Sequence, residues 1–332
     1  MGKKNVGGQA VIEGVYMRGE SGCGTAVRLE SGKIKASFDN KVPLNKKKGL
    51  WSKPFIRGVV GLIDSMVEGI SKLNYSASFF EEVEAESKFE KWLEDKFGDK
   101  LNSVISVVTI IFSVVISVGL FMFIPTTLAN VFKKIGVEST IMLNFIEGII
   151  RISIFFLYII LISKLDDIKR LFQYHGAEHK TIFAYERGLE LTPANAKKQS
   201  RFHPRCGTNF MFLVMEVSIL LFSFTGWGNA FERLFWRIVL LPVVAGTTYE
   251  IIRWLGNSDS KLSSILAYPG LQFQRLTTKE PDEKMLEVAI IALKLAEGII
   301  TVSDVENMYK ENSDEEVFPI EMKEAVGGKN EN

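Results

Sequence analysis

Two of the three histidines in this 332-residue chain lie in one short motif, HGAEHKTI, at residues 175–182. If the motif is helical, His175 and His179 are four positions apart and project from one face, so two imidazoles can reach one metal ion. Glu178 lies on the neighbouring part of the same face. The spacing therefore predicts a metal site with a carboxylate beside it.

The order of these residues also indicates a reaction. His-x-x-Glu-His is the order of the inverted zinc-protease signature, in which the histidines hold zinc and the glutamate polarises the attacking water. We therefore interpret His175 and His179 as metal ligands and Glu178 as the catalytic residue. The alternative is that both histidines cap or hydrogen-bond within a buried loop.

The third histidine lies in a second motif, FHPRCGTNF, at residues 202–210. His203 and Cys206 are three positions apart in it, and both join the candidate metal ligands. Histidine and cysteine favour zinc, whereas a site built on Glu178 and Glu250 would suit manganese or iron. Three protein ligands would leave a catalytic position open, and four would make a structural site. The alternative for this motif is a turn that only positions the next apolar segment.

The segments around these motifs are apolar enough for a membrane. Hydrophobic residues make up 47% of the chain, and four segments approach the roughly 20 apolar residues that cross a hydrocarbon core. They are residues 104–124, 149–163, 210–224 and 235–255. The predicted fold class is mostly α: an integral membrane protein with about four transmembrane helices and a small N-terminal β-containing region.

Charge sets the expected orientation and excludes one class of partner. Lysine and arginine accumulate in the connection at residues 164–208, and such residues mark cytoplasmic loops. We therefore expect this His-containing loop and both termini in the cytoplasm, with several passes through the cell membrane and the lipid bilayer as a partner. The net charge of +1 gives no electrostatic reason to expect nucleic acid.

Composition divides the chain into four regions. Residues 1–100 should form a cytoplasmic region with two strands around Ser31–Gly32, an amphipathic helix over 55–73 and a solvated helix over 81–100. The amphipathic helix would lie on the membrane surface or pack on the spans or the strands. The other regions are the membrane domain at 101–256, a cytoplasmic helical region at 257–310 and a flexible tail at 311–332.

Ionisable residues inside the predicted spans need partners or a cavity, because burying a charge in lipid is costly. Glu147 with Arg151, and Glu250 with Arg253, predict local pairs. Glu216 has no partner near it in the sequence, so it should face the bundle interior, meet Arg237 across the bundle, or be protonated. A transport path through Glu216 is disfavoured because four spans without interrupted helices make a poor transporter.

Four motifs in order resemble the YqhQ-like family of bacterial multi-pass membrane proteins, a domain-of-unknown-function family. They are GGQAVIEGVYMRG, HGAEHKTI, HPRCGTNF and PGLQFQRLTTKEPDEKMLEVAIIALK. Members are commonly labelled predicted metal-dependent enzymes, so the resemblance implies a bacterial membrane protein with a cytoplasmic site. It adds Glu13, Arg18, Arg205 and Asn209 to the candidate site residues. Glu13 and Arg18 would orient a substrate or close over the metal, or else belong to a glycine-rich turn.

Two functions remain open from the sequence. The first is a metal-dependent hydrolase acting on peptide or lipid-linked bonds, in which His175, His179 and either His203 or Cys206 bind zinc. The second is a non-enzymatic assembly or biogenesis factor that binds other membrane proteins or the translocation machinery. In the second case the motifs form a folded platform, and the amphipathic helix is a docking element.

Overall fold

The computed structural model describes residues 6–41, 49–80, 101–258 and 260–315, and most of them are helical. The helix predicted over residues 81–100 lies outside these ranges, as does the predicted flexible tail beyond residue 315. The C-terminal helix continues to Glu315, into the segment predicted as tail.

A small antiparallel sheet forms the N-terminal part of the described chain. Its strands are β1 (Gly7–Val11), β2 (Gly14–Arg18), β3 (Cys23–Arg28) and β4 (Ile34–Asp39), and they pair in chain order. The two strands predicted around Ser31–Gly32 are β3 and β4. Gly32 lies in the turn between them with a φ of 81°, a conformation that glycine adopts at no steric cost.

Helices make up most of the remaining described chain. They are α1 (Ile56–Ala77), α2 (Leu101–Val118), α3 (Ile124–Lys134), α4 (Thr140–Ile162), α5 (Asp166–Glu186), α6 (Pro193–Lys197), α7 (Gly207–Ser223), α8 (Ala230–Asn257), α9 (Lys261–Thr277), α10 (Glu283–Ala296) and α11 (Val302–Glu315). A π-helical segment, Gly119–Phe123, joins α2 to α3. Side chains cap the starts of α4, α8 and α10, where Ser139, Asn229 and Asp282 accept backbone N–H groups.

Within the described residues, three helical stretches are long and apolar enough to cross a membrane: Val107–Lys134, Thr140–Ile162 and Phe231–Leu255. They overlap the first, second and fourth predicted spans. The third predicted span is α7, which has 17 residues and is shorter than these. Val107, Ile110 and Phe112 each expose more than half of their side chains. Such a continuous apolar surface is unfavourable in water and indicates association with a membrane.

One hydrophobic core joins the sheet to α5, α10 and α11. It contains Val15 and Ala26 from the sheet, Tyr174 from α5, and Leu286 and Leu293 from α10, all almost completely buried. The N-terminal and C-terminal regions, which composition separates, therefore pack together. Their shared core holds α5, which carries the first histidine motif.

Helix α1 has an unusual distribution of side chains. Its charged residues face the protein, where Lys72 pairs with Asp39 and Glu68 with Lys41. A Cβ on Gly58 would overlap the side chain of Tyr249, so glycine allows α1 to approach α8. Ile63, Met66, Val67 and Ile70 are each more than half exposed on the opposite face. The amphipathic helix predicted here thus packs on the sheet and on α8 while its apolar face points outwards.

Candidate metal centre

The HGAEHKTI motif lies on α5 and packs closely against the segment that follows α9. The N–H of Lys279 donates to the carbonyl of Phe172 at 2.8 Å. A Cβ on residue 176 would overlap the carbonyl oxygen of Lys279, so Gly176 permits this approach. Lys180, one turn further along, is buried and donates to the carbonyl of Lys197 at 2.9 Å. These contacts fix the helix that presents the two histidines.

His175, His179 and Cys206 form a compact group of donor atoms. One ligand atom from each lies within 4.8 Å of the other two. The Nδ1 atom of His175 donates to the carbonyl of Thr277 at 2.9 Å, and Nδ1 of His179 donates to the carbonyl of Arg201 at 2.5 Å. We assign these tautomers because a carbonyl can only accept. In the neutral imidazoles, Nε2 of each ring therefore carries the lone pair, as in metal-ligating histidines.

Cys206 reaches the group from the start of α7. It is the N-cap residue, and its sulfur accepts the N–H of Thr208 at 3.4 Å and lies 3.1 Å from Nε2 of His175. Burial raises the pKa of the Cys206 thiol, but His175 and His179 outweigh burial and lower the pKa well below its usual value. The thiolate is the form that binds metals.

The contact with Cys206 shifts the pKa of His175 upwards, whereas it shifts the pKa of Cys206 downwards. Burial lowers the pKa of His175, but the charge of the Cys206 thiolate and the hydrogen bond to it raise the pKa to about 9. Nε2 of His175 and the sulfur of Cys206 therefore share a proton across their 3.1 Å contact. A metal ion would take the place of that proton, because both atoms bind metals only when deprotonated.

Glu178 lies beside the donor group and is buried. One of its oxygens accepts the N–H of Gly8 on β1, and the other oxygen has no hydrogen-bond partner in the described part of the chain. A Cβ on Gly8 would approach the carbonyl of Tyr16 to 2.5 Å and Oε1 of Glu178 to 3.1 Å. Burial raises the pKa of Glu178, with the two histidines acting in the opposite direction. The first glycine-rich motif thus reaches the centre through its backbone.

The donor set fits a zinc ion. Two imidazole nitrogens and a thiolate are typical zinc ligands, and three protein ligands leave a fourth position open. Nε2 of His179 and Oε2 of Glu178 are buried without hydrogen-bond partners among the described residues. A bound ion would give the nitrogen a partner, and a water molecule would give one to the carboxylate.

His203 lies beside the group rather than in it. Its ring centroid is 5.6 Å from that of His179, and its backbone N–H donates to Oε1 of Gln274 at 2.8 Å. Burial lowers the pKa of His203 to about 4, so the 3.6 Å approach to Glu186 is not an ion pair at neutral pH. The geometry groups Cys206, and not His203, with the two histidines of α5.

Arg205 and Asn209 shape the turn that carries Cys206. Arg205 pairs with Glu186 at the end of α5. The side chain of Asn209 donates to the carbonyl of Pro204 at 2.7 Å and accepts from Gln274 at 3.0 Å. Both residues therefore position the second motif on α5 and α9.

Glu13 and Arg18 do not pair with each other. Glu13 follows β1 with a φ of 49° and accepts two hydrogen bonds of 2.5 Å from Arg170 and one of 3.2 Å from Tyr174. Arg18 donates to the hydroxyl of Tyr16 at 2.9 Å. Glu13 thus joins the sheet to α5, which agrees with the packing alternative for this motif.

Glu250 and Glu216, two of the three carboxylates predicted within spans, have different surroundings. Glu250 forms an ion pair with Arg57 on α1 rather than the local pair predicted with Arg253. Glu216 is half-buried and has no hydrogen bond or ion pair within the described part of the chain. Arg237, considered as its partner, pairs with Glu147 instead.

Sequence reasoning missed the groups that orient the ligands. The carbonyls of Thr277 and Arg201 and the N–H of Gly8 belong to the backbone, and any residue type can supply them. Gln274 is different, because its buried side chain bonds to both His203 and Asn209. A polar residue within the apolar motif PGLQFQRL is the signal that could have identified it.

The fold and the site together define a mostly helical, membrane-associated protein with a small N-terminal sheet and a buried His–His–Cys group. Residues 53–298 match the family described as "Protein of unknown function (DUF1385)". The chain belongs to this family, as the resemblance of its motifs implied.

A curated relative supports the same family membership. The chain is 34% identical over 289 residues to "Uncharacterized protein YqhQ" of Bacillus subtilis (strain 168), which covers 86% of this chain and 89% of the relative. No solved structure matches the chain.

Proposed function

We propose that this chain is a membrane-embedded, metal-dependent hydrolase whose zinc site consists of His175, His179 and Cys206. The observation that carries the proposal is the arrangement of these three side chains. Their donor atoms converge within 4.8 Å, and backbone carbonyls hold Nδ1 of both histidines so that each Nε2 is available. Manganese is less suitable because it favours oxygen ligands, and iron is the alternative for nitrogen and sulfur ligands.

The chain's own residues would divide the work of hydrolysis. When bound, zinc would supply a Lewis acid that polarises a carbonyl and makes water more acidic. Glu178 is the general base that accepts a proton from the attacking water. Its raised pKa brings it closer to the operating pH, where a general base is most effective. The N–H of Gly8 holds one carboxylate oxygen, so the free oxygen has a fixed direction.

The membrane arrangement we propose has four crossing helices and both termini in the cytoplasm. Helix α7 is about 26 Å long at 1.5 Å per residue, which approaches the thickness of a hydrocarbon core. The basic connection at residues 164–208 supports a cytoplasmic location for the metal site. The substrate would then be a peptide or a lipid-linked molecule that reaches the inner face of the bacterial cell membrane.

Metal content tests the first half of the proposal. The purified wild type should contain close to one zinc ion per chain by elemental analysis, and Cys206→Ser should lose most of it. Cys23→Ser is the matched control, because Cys23 is also buried but bonds to Tyr16 within the sheet. Equal zinc content in both variants, or a folded wild type without metal after growth in zinc, contradicts the proposed site.

The variant Glu178→Gln tests the second half of the proposal, the catalytic role of Glu178. Membranes from cells that lack the endogenous gene would be compared after restoring the wild type or Glu178→Gln. Mass spectrometry should find a peptide or lipid-linked species that accumulates with the Gln variant and is consumed with the wild type. The variant must retain zinc. Identical membranes would refute the catalytic role of Glu178.

Helix α1 favours a second candidate function, an assembly or biogenesis factor with a structural zinc site. Its exposed Ile63, Met66 and Ile70 form an apolar face next to exposed Trp51 and Phe55. This face would contact lipid or another membrane protein, such as a component of the translocation machinery. Photocrosslinking from position 66 in native membranes should then trap a reproducible protein neighbour. Crosslinks to lipid alone would exclude the docking role.

A further inference from the structure

One carboxylate near the start of α4 is surrounded by three arginines. Glu147 accepts a hydrogen bond of 2.8 Å from Arg151 on the same helix. It also forms ion pairs with Arg233 and Arg237, both from the first turns of α8. We call these four residues the arginine cluster. The sequence predicted only the pair of Glu147 with Arg151.

The arginine cluster carries an excess of positive charge. Three guanidinium groups and one carboxylate leave a formal charge of +2, and each arginine keeps its charge under all ordinary conditions. Within the described residues, Glu147 is the carboxylate that pairs with any of them. Glu147 and Arg233 expose only 2% and 5% of their side chains. An uncompensated charge in such surroundings is strongly destabilising.

Neutral contacts satisfy part of the cluster but do not neutralise it. Arg151 also donates to the carbonyl of Phe121 at 3.0 Å, and the guanidinium of Arg233 lies 3.8 Å from the centre of the Trp227 ring. Nη1 of Arg237 is buried and has no acceptor among the described residues. The cluster therefore has both an unbalanced charge and a donor without a partner.

The cluster can be reached from outside the protein. Arg151 and Arg237 expose 17% and 15% of their side chains. Glu147 lies seven residues after the start of α4 and Arg237 six residues after Phe231, which places both about 10 Å from these helix ends. In an inserted protein with a hydrocarbon core about 30 Å thick, this depth is several ångström below the lipid headgroups, a distance that arginine side chains can span.

We propose that the arginine cluster binds a phosphate group, the headgroup of an anionic phospholipid or free phosphate. Guanidinium groups bind phosphate with two parallel hydrogen bonds and are less strongly hydrated than lysine, which suits a partly buried site. The bound anion balances the charge of the cluster and gives Nη1 of Arg237 its acceptor. This proposal needs insertion of the helices in a membrane but not the metal site or its chemistry.

Thermal unfolding of the full chain in a zwitterionic detergent tests the site, with added phosphatidylglycerol or with sodium phosphate at matched ionic strength. The wild type should be stabilised by at least one of them. Arg237→Gln should bind the anion about tenfold more weakly, since one charge-assisted hydrogen bond contributes about that much. Glu147→Gln should enlarge the anion-dependent shift, because the carboxylate competes for the same guanidinium groups. Lys134→Gln, an exposed residue at the same end, should leave it unchanged.

The outcomes separate the two sources of the phosphate. Stabilisation by phosphatidylglycerol alone identifies a lipid headgroup, and stabilisation by both additives identifies a site open to phosphate in solution. No shift with either additive overturns the proposal, and so does an equal shift in Arg237→Gln and the wild type. If Arg237→Gln does not fold, Arg151→Gln takes its place. Loss of zinc from the other site would not change any of these results.

Discussion

The metal centre and the arginine cluster lie at the two ends of α7 and are built on opposite principles. Cys206 caps the start of α7, and Asn144, one turn from Glu147, donates to the carbonyl of Thr225 just beyond its end. At the first end, metal-binding donor atoms converge on one point. At the second end, guanidinium groups converge on one carboxylate. Among the described residues, both clusters contain buried polar atoms without hydrogen-bond partners, and the chemistry of these atoms favours a cation at the first end and an anion at the second.

The difference shows that backbone groups orient the functional side chains in the metal centre, whereas other side chains orient them in the arginine cluster. In the metal centre, two carbonyls and one N–H orient the ligands, so the geometry depends on close packing of the chain at Gly8 and Gly176. In the arginine cluster, side chains of three helical segments bond to one carboxylate. The first should therefore be sensitive to packing changes and the second to the loss of a single charge.

The largest effect should come from Glu147→Gln. In a zwitterionic detergent without added anion, this variant leaves three arginines close together without a counter-charge. We expect it to lower the free energy of unfolding by about 3–5 kcal/mol, as is typical for removing one partner of a buried ion pair. Denaturant unfolding would measure this.

Glu216→Gln is the matched control for that prediction. Glu216 is also a carboxylate on an apolar helix, but it has no ion pair among the described residues. Its replacement should change stability by about 0.5 kcal/mol or less, or increase it. Equal losses in the two variants would show that Glu147 does not hold the cluster together.

A substitution that disturbs packing, rather than charge, should disrupt the metal centre. In Gly176→Ala, the new methyl group would overlap the carbonyl oxygen of Lys279 and displace the segment that contains Thr277. We expect a loss of about 1–3 kcal/mol from overpacking, together with loss of bound zinc. Calorimetry and elemental analysis would detect these two effects.

Gly207→Ala provides the comparison for Gly176→Ala. It lies next to Cys206 on an apolar helix, and a Cβ there meets nothing within 4 Å. Stability and zinc content should both remain close to those of the wild type. If the two variants retain zinc equally, the centre does not depend on the close approach of Lys279.

Much of the site could be predicted from sequence because its spacing is local. His175 and His179 share a helical face by periodicity alone, and alternation predicted β3 and β4 on either side of Ser31–Gly32. The choice between His203 and Cys206 could not be made, because the turn at Pro204 decides which side chain joins the donor atoms of His175 and His179. The partners of Glu147 were also hidden, since pairs between helices depend on packing rather than on sequence distance.

The fold was predicted in outline but not in its contacts. Hydropathy indicated the long apolar helices, and composition separated the N-terminal and C-terminal regions. Their shared core could not be foreseen, because β2 and β3 meet α10 across more than 250 residues of sequence. The same long-range packing brings Gly8 to Glu178.

One pair of variants tests the assignment of the third ligand. His179→Gln should weaken zinc binding at least about tenfold, as expected for the loss of a ligand. His203→Gln should change it by less than about threefold, because His203 lies beside the donor group and not in it. Competition with a chelator gives both affinities. Similar losses would place His203 among the ligands and extend the site to four.

The smallest effect should be a change in how stability depends on pH when Glu178 becomes Gln. Burial raises the pKa of Glu178 in the folded protein, so the unfolded chain releases its proton first as the pH rises. The folded state then binds more protons than the unfolded state, and Glu178 lowers stability progressively from its unfolded pKa upwards. In metal-free protein, Glu178→Gln should match the wild type near pH 4 and be slightly more stable at pH 7. The amide oxygen of Gln can still accept the N–H of Gly8, so the loss of that hydrogen bond does not contribute to the difference in stability between the variant and the wild type. A variant that is less stable at pH 7 would show that the buried carboxylate is stabilised by its neighbours.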